Sequence, residues 1–181
     1  MACTIGAENP MWKLLQTFID IALWRKGPQD LPASRFLLLL VLGIYVAASF
    51  VQVQLLDLRL STAFVIVGVD VTMMMLWLWL VLAFFGRSQR FIQTLTAMFG
   101  VGALLAAIDI VVAAVQLAAG VASGEPSTLW LSLRFLAIAL IMGRIFMHAL
   151  DRGLLTGMAL TVAIIYSTGA VAQAIVSRLH G

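Results

Sequence analysis

The chain has 181 residues, of which 63% are hydrophobic and only 10% charged, and its mean hydropathy of +1.09 lies far above that of a water-soluble globular domain. A spanning helix takes about 20 apolar residues, so this length holds several spans with short loops and excludes a soluble domain of useful size. The formal net charge of +3 comes from 11 basic and 8 acidic residues; the basic ones are scattered, without the clustering on one face that phosphate tracking requires, so nucleic acid is excluded as a partner.

The first 35 residues are expected to form a cytoplasmic segment. In "NPMWKLLQTFIDIALWRKGP", Asn9 suits an N-cap, Pro10 the first helical position, and Gly27-Pro28 the stop. Lys13, Gln16, Thr17 and Asp20 share a narrow polar face, with Met11, Leu14, Leu15, Phe18, Ile19 and Ala22 around it. Two placements are open: an amphipathic helix lying in the membrane interface on Trp12 and Trp24, or a cuff tucked beneath the bundle. Pro28 and Pro32 in "GPQDLPAS" make an elbow into the first span. No basic run leads into an apolar core, so no cleavable signal is expected, and the lone Cys3 has no internal disulfide partner.

Residues 36–181 are then expected to form the membrane domain, with spans Phe36–Leu56, Thr62–Phe85, Gln93–Ala118, Leu129–Ala149 and Leu154–Val176. The breaks are DLRLS, GRSQRF, AGVASGEPST and LDRG, short enough to make neighbouring helices antiparallel. The expected fold is all-α, a polytopic five-helix bundle with an N-terminal amphipathic helix. Lys13, Arg25, Lys26, Arg35, Arg87, Arg90, Arg144 and Arg152 fall at one end. Arg59, Glu125 and Arg178 fall at the other. The positive-inside rule puts the N-terminus in the cytoplasm and the C-terminus outside, in what reads as a bacterial inner membrane.

Three ionisable residues interrupt the apolar spans. Asp70 in span two and Asp109 in span three each lie roughly 12–13 Å from the outer end of their helix, and Arg134 in span four about 7 Å. An unpaired charge at mid-bilayer costs at least about 2.5 kcal/mol, so the expectation is a cluster in which the guanidinium fork of Arg134 bridges both aspartates. Two carboxylates and one guanidinium leave a surplus negative charge, to be silenced by a proton or used to bind a cation. Polar residues at helical spacing extend the set: Tyr45, Ser49 and Gln52 on span one, Gln116 on span three, and Tyr166, Gly169 and Gln173 on span five. Gly102, Ala106 and Ala113 give span three a surface for close helix approach. The set reads either as an interior network that locks helix register or as a polar conduit opening outward.

Near the cytoplasmic end, Arg144, His148, Asp151 and Arg152 form a second polar group, read as topology-fixing charges or as a contact for lipid phosphates or a partner. No nucleophile with a paired base, phosphate loop or HExxH pair occurs. No enzyme activity, metal or cofactor is expected.

The stretch "LWLSLRFLAIALIMGRIFMHALDRGLLTGMALTVAIIY" has Trp130 opening a span, Gly143, Arg144 and His148 closing it, and a small-residue span following through Gly157–Ala159. It resembles the last two spans of the YIP-domain (Ypt/Rab-interacting) membrane proteins, which also share a cytoplasmic N-terminal segment and five spans. The resemblance implies an organiser or adaptor without catalysis. It assigns no role to Asp70 or Asp109.

Two functions therefore stand side by side. One is a non-enzymatic scaffold or accessory subunit acting through helix faces, with the lipid bilayer and a membrane-protein partner or a second copy as its contacts. The other is a small transporter or proton/cation pathway using Asp70, Asp109 and Arg134.

Overall fold

Apolar stretches of about 20 residues separated by polar breaks satisfy their backbone in lipid as helices, and the computed structural model has that form. It describes residues 10–55, 58–118 and 128–180. Helix α1 (Pro10–Ala22) precedes five long helices: α2 (Arg35–Gln54), α3 (Leu60–Phe84), α4 (Phe91–Ala118), α5 (Thr128–Leu150) and α6 (Leu154–His180). All five are long and apolar enough to cross a membrane. The chain is an integral membrane protein. Asn9, Cys3, Asp57, Glu125 and residues 119–127 of the third break lie outside the described residues.

Helix ends follow local chemistry. Pro10 opens α1, and Ser34 caps α2 by accepting a hydrogen bond from the Leu37 N–H at 3.3 Å. Three ends on the basic side close in the left-handed conformation, at Trp24 (φ 68°), Gly86 (φ 68°) and Asp151 (φ 53°). Gly86 adopts it without steric penalty, and the Arg87 N–H then donates back to the Leu82 carbonyl at 2.7 Å. Helix α1 ends at Ala22, ahead of the Gly27-Pro28 stop, because the Trp24 turn intervenes.

Helix α4 lies deepest. Its residues from Thr94 to Gly102 are all buried, and α2 packs along it. Gly102 makes this possible: a methyl there would come within 2.7 Å of the Tyr45 ring, which also rests on Phe99 with ring centroids 5.1 Å apart. Helices α5 and α6 form a second pair, joined where the Gly143 carbonyl presses on Gly157, and α6 also packs on α3. Between α4 and α5 the contact is brief. The bundle is therefore tight at its basic end, around Leu78, Leu82, Leu95, Phe99, Ile145 and Phe146, and parted toward the other.

Helix α1 packs against α4 and α5. Phe18 and Ile21 are buried, with the Phe18 ring in a notch that exists because Gly100 has no side chain. Trp12, Leu15 and Ile19 on the same helix, and Leu23 just past its end, remain exposed. The elbow follows it inward: Leu31 is buried against α4 and α5, and its carbonyl accepts from Gln93 Nε2 at 3.0 Å.

Candidate functional site

Where the bundle parts, a cavity of about 890 Å³ lies among α2, α3, α4, α5 and α6. Its lining runs from Gln52, Thr128 and Ser132 toward the less basic end to Met98, Met142 and Phe146 toward the basic end. Most of the wall is apolar. The polar exceptions include Tyr45, Ser49, Gln52, Asp70 and Arg134, with Thr161 and Thr168 opposite.

The two aspartates are held differently. Asp109, 8% exposed, has Arg134 Nε 2.9 Å from Oδ2 and accepts from Gln52 Nε2 at 2.9 Å on the same oxygen. The Nε–H of Arg134 does not point along the line to the oxygen, so the contact is an ion pair rather than an aligned hydrogen bond. The Trp130 indole is a further hydrogen-bonding neighbour of Asp109. Asp70 is half-buried and accepts from the Tyr45 hydroxyl at 2.5 Å. The proposed bridge is thus divided: Arg134 pairs with Asp109 alone and acts on Asp70 only through its field. The physical reason is that Tyr45, anchored by Gly102 and Phe99, reaches Asp70 first.

The polar stripe of α2 faces inward as its spacing implies, with Tyr45, Ser49 and Gln52 all on the cavity. Three other expected members lie elsewhere. Tyr166 is 70% exposed with its ring against Phe135, Gln173 is exposed, and Gln116 is half-buried outside the cavity. The inner face of α6 is instead Thr161, Ile164, Thr168, Gly169 and Ala172. That face is selected by the Gly157 contact with α5, since Thr161, Ile164 and Thr168 continue from Gly157 at helical spacing. Thr161 and Thr168 were passed over because threonine in an apolar helix signals little.

The second group at the basic end separates into two clamps. Arg144 donates to the Trp24 carbonyl at 2.8 Å and lies over the Trp24 ring at 4.9 Å, tying α5 to the end of α1. Asp151 pairs with Arg87 at 2.9 Å and Arg90 at 3.1 Å, and Arg90 also donates to the His148 and Ala149 carbonyls at 2.8 and 3.3 Å. Arg90 thereby satisfies the carbonyl end of α5 from another helix. Its hydrogen bond, followed by the charge of Arg87, holds the Asp151 carboxyl below the usual carboxylate range. Arg152 lies over the Phe85 ring at 5.6 Å, and His148 Nε2 has no partner among the described residues. Arg87 and Arg90, read in sequence only as topology charges, are the partners sequence reasoning missed.

No protein-family model, curated protein or solved structure matches the chain.

Proposed function

We propose that this protein is a non-enzymatic small transporter, a proton- or cation-linked pathway in which Asp70 takes the ion. The observation that carries the reading is the asymmetry between the carboxylates: Asp109 has a guanidinium at ion-pair distance, whereas Asp70 has the Tyr45 phenol and faces the cavity. With both carboxylates ionised, the site holds one negative charge in excess, and a proton or small cation at Asp70 balances it. Arg134 sets how strongly that ion is held, through its field at Asp70. By the positive-inside rule the basic end faces the cytoplasm, so the cavity opens outward from a bacterial inner membrane. The test is reconstitution into liposomes with an entrapped pH dye and an imposed membrane potential. Proton or cation entry above that of protein-free liposomes, lost in Asp70→Asn, supports the reading. Entry equal to that of protein-free liposomes overturns it.

A second reading is the YIP-like scaffold or accessory subunit. It is favoured by the exposed apolar strip Trp12, Leu15 and Ile19 on the outer side of α1, continued by Leu23 just past its end, which suits the lipid interface or a partner helix. Affinity purification from native membranes tests it: a stoichiometric larger membrane protein supports it, and recovery of this chain alone overturns it.

A further inference from the structure

Two charges of opposite sign line one mostly apolar cavity, and each is only half engaged by the protein. Asp70 accepts from Tyr45 through Oδ2, and its Oδ1 has no hydrogen-bond partner among the described residues. Arg134 meets Asp109 through Nε, and its two terminal nitrogens likewise have no hydrogen-bond partner among the described residues. The engaged atoms orient the free ones: Tyr45 fixes Asp70 from behind, and Asp109 fixes the root of the guanidinium. Asp70, Tyr45 and Arg134 line the same cavity.

We infer that the cavity binds a small zwitterion, a molecule carrying an ammonium and an anionic group on one apolar body. Its ammonium sits at Asp70 Oδ1 and its anionic group on the terminal nitrogens of Arg134. The inference rests on the transporter reading, whose cargo it names. A zwitterion answers both charges at once, its ammonium taking the place of the small cation at Asp70 and its anionic group meeting Arg134, and the guanidinium fork suits a carboxylate or phosphate. The apolar body has room, because the volume falls within the range of about 300–1,000 Å³ typical of ligand pockets. Met74, Met98 and Met142 in the wall adapt to varied shapes, beside Phe135 and Ile138.

Three probes share a phenyl body and differ in charge: L-phenylalanine, phenethylamine and 3-phenylpropionate. Equilibrium dialysis against the purified full chain in phosphatidylglycerol nanodiscs compares them. The expected result is L-phenylalanine binding at least tenfold more tightly than either single-charge probe. Asp70→Asn should abolish its advantage over 3-phenylpropionate, and Arg134→Lys its advantage over phenethylamine. Should Arg134→Lys fail to fold, Gly169→Phe replaces it: Gly169 lines the cavity, nothing lies within 4 Å of a Cβ there, and a phenyl group should exclude all three probes. The same charges occur in a phosphoethanolamine headgroup. Weaker L-phenylalanine binding in phosphatidylethanolamine nanodiscs assigns the site to the lipid, and unchanged binding assigns it to a free solute. Equal affinities for the three probes, or an L-phenylalanine advantage that survives Asp70→Asn, overturn the inference. If ion entry into liposomes persists alongside equal affinities, only the zwitterion falls; if both results are negative, the transporter reading falls with it.

Discussion

Arg134 Nε lies 2.9 Å from Asp109 Oδ2, which commits the guanidinium to one of the two intramembrane carboxylates. Asp109→Ala should therefore leave a charge in the bundle without its ion-pair partner. Breaking a fully buried pair costs about 3–5 kcal/mol; the Arg134 side chain is 36% exposed, so the expected loss is about 2 kcal/mol. Thermal unfolding in detergent reads it, and a midpoint equal to that of the wild type would show the pair to be energetically idle.

Asp70→Asn should behave in the opposite way. The asparagine oxygen still accepts from Tyr45, and a formal charge leaves the membrane, so stability should stay within about 1 kcal/mol of the wild type. Ion entry into liposomes should fall to the protein-free rate. A variant that unfolds while the wild type shows no ion entry would instead make Asp70 a structural group.

Gly157→Ala should be costly because the methyl meets the Gly143 carbonyl, a backbone atom that cannot step aside without moving α5. Overpacking of this kind costs about 1–3 kcal/mol. Gly169→Ala in the same helix has open space around its Cβ and should gain roughly 0.5–1 kcal/mol from helix propensity. Opposite signs in the two melting temperatures check the close approach of α5 and α6.

Gly100→Ala should dislodge Phe18 and loosen α1 while leaving the five spans assembled. Limited proteolysis between residues 22 and 34 should accelerate several-fold with little change in the main unfolding transition. Cleavage at the wild-type rate would mean that the notch does not hold the helix.

The basic end should weaken in acid. The Asp151 carboxyl is held below its ordinary value, so the stability it contributes is present above the unfolded value of about 4 and is lost as pH falls through its lower folded value. Asp151→Asn should flatten the stability profile in that window and leave it unchanged at neutral pH relative to pH 6. A profile identical to that of the wild type below pH of about 4 would remove Asp151 from the account.

Spans and their order were legible because lipid permits so few backbone solutions, and the polar breaks mark the turns within a few residues. The inward stripe of α2 was legible for a related reason: Tyr45, Ser49 and Gln52 have no bland reason to share one face of an apolar helix. Helix α6 shows where spacing fails. Tyr166, Gly169 and Gln173 lie near one another on its surface, yet only Gly169 meets the cavity, because rotation of a membrane helix follows the closest backbone approach, here Gly157 on Gly143. The partnership of Asp109 with Arg134 followed from the scarcity of intramembrane cations. That Tyr45 would separate Asp70 from the pair depended on Gly102 and Phe99 placing one ring, which no pattern of charges encodes.

The seat of α1 also constrains how the chain is made. Phe18 rests in a notch at Gly100, and the Trp24 carbonyl waits for Arg144, 120 residues further along. Synthesis proceeds from the N-terminus, so α1 leaves the ribosome before its docking site, which is complete only when α4 and then α5 have entered the bilayer. Helix α1 is thus made before its seat exists, and until α5 is in place its apolar side must be sheltered by lipid or by the insertion machinery.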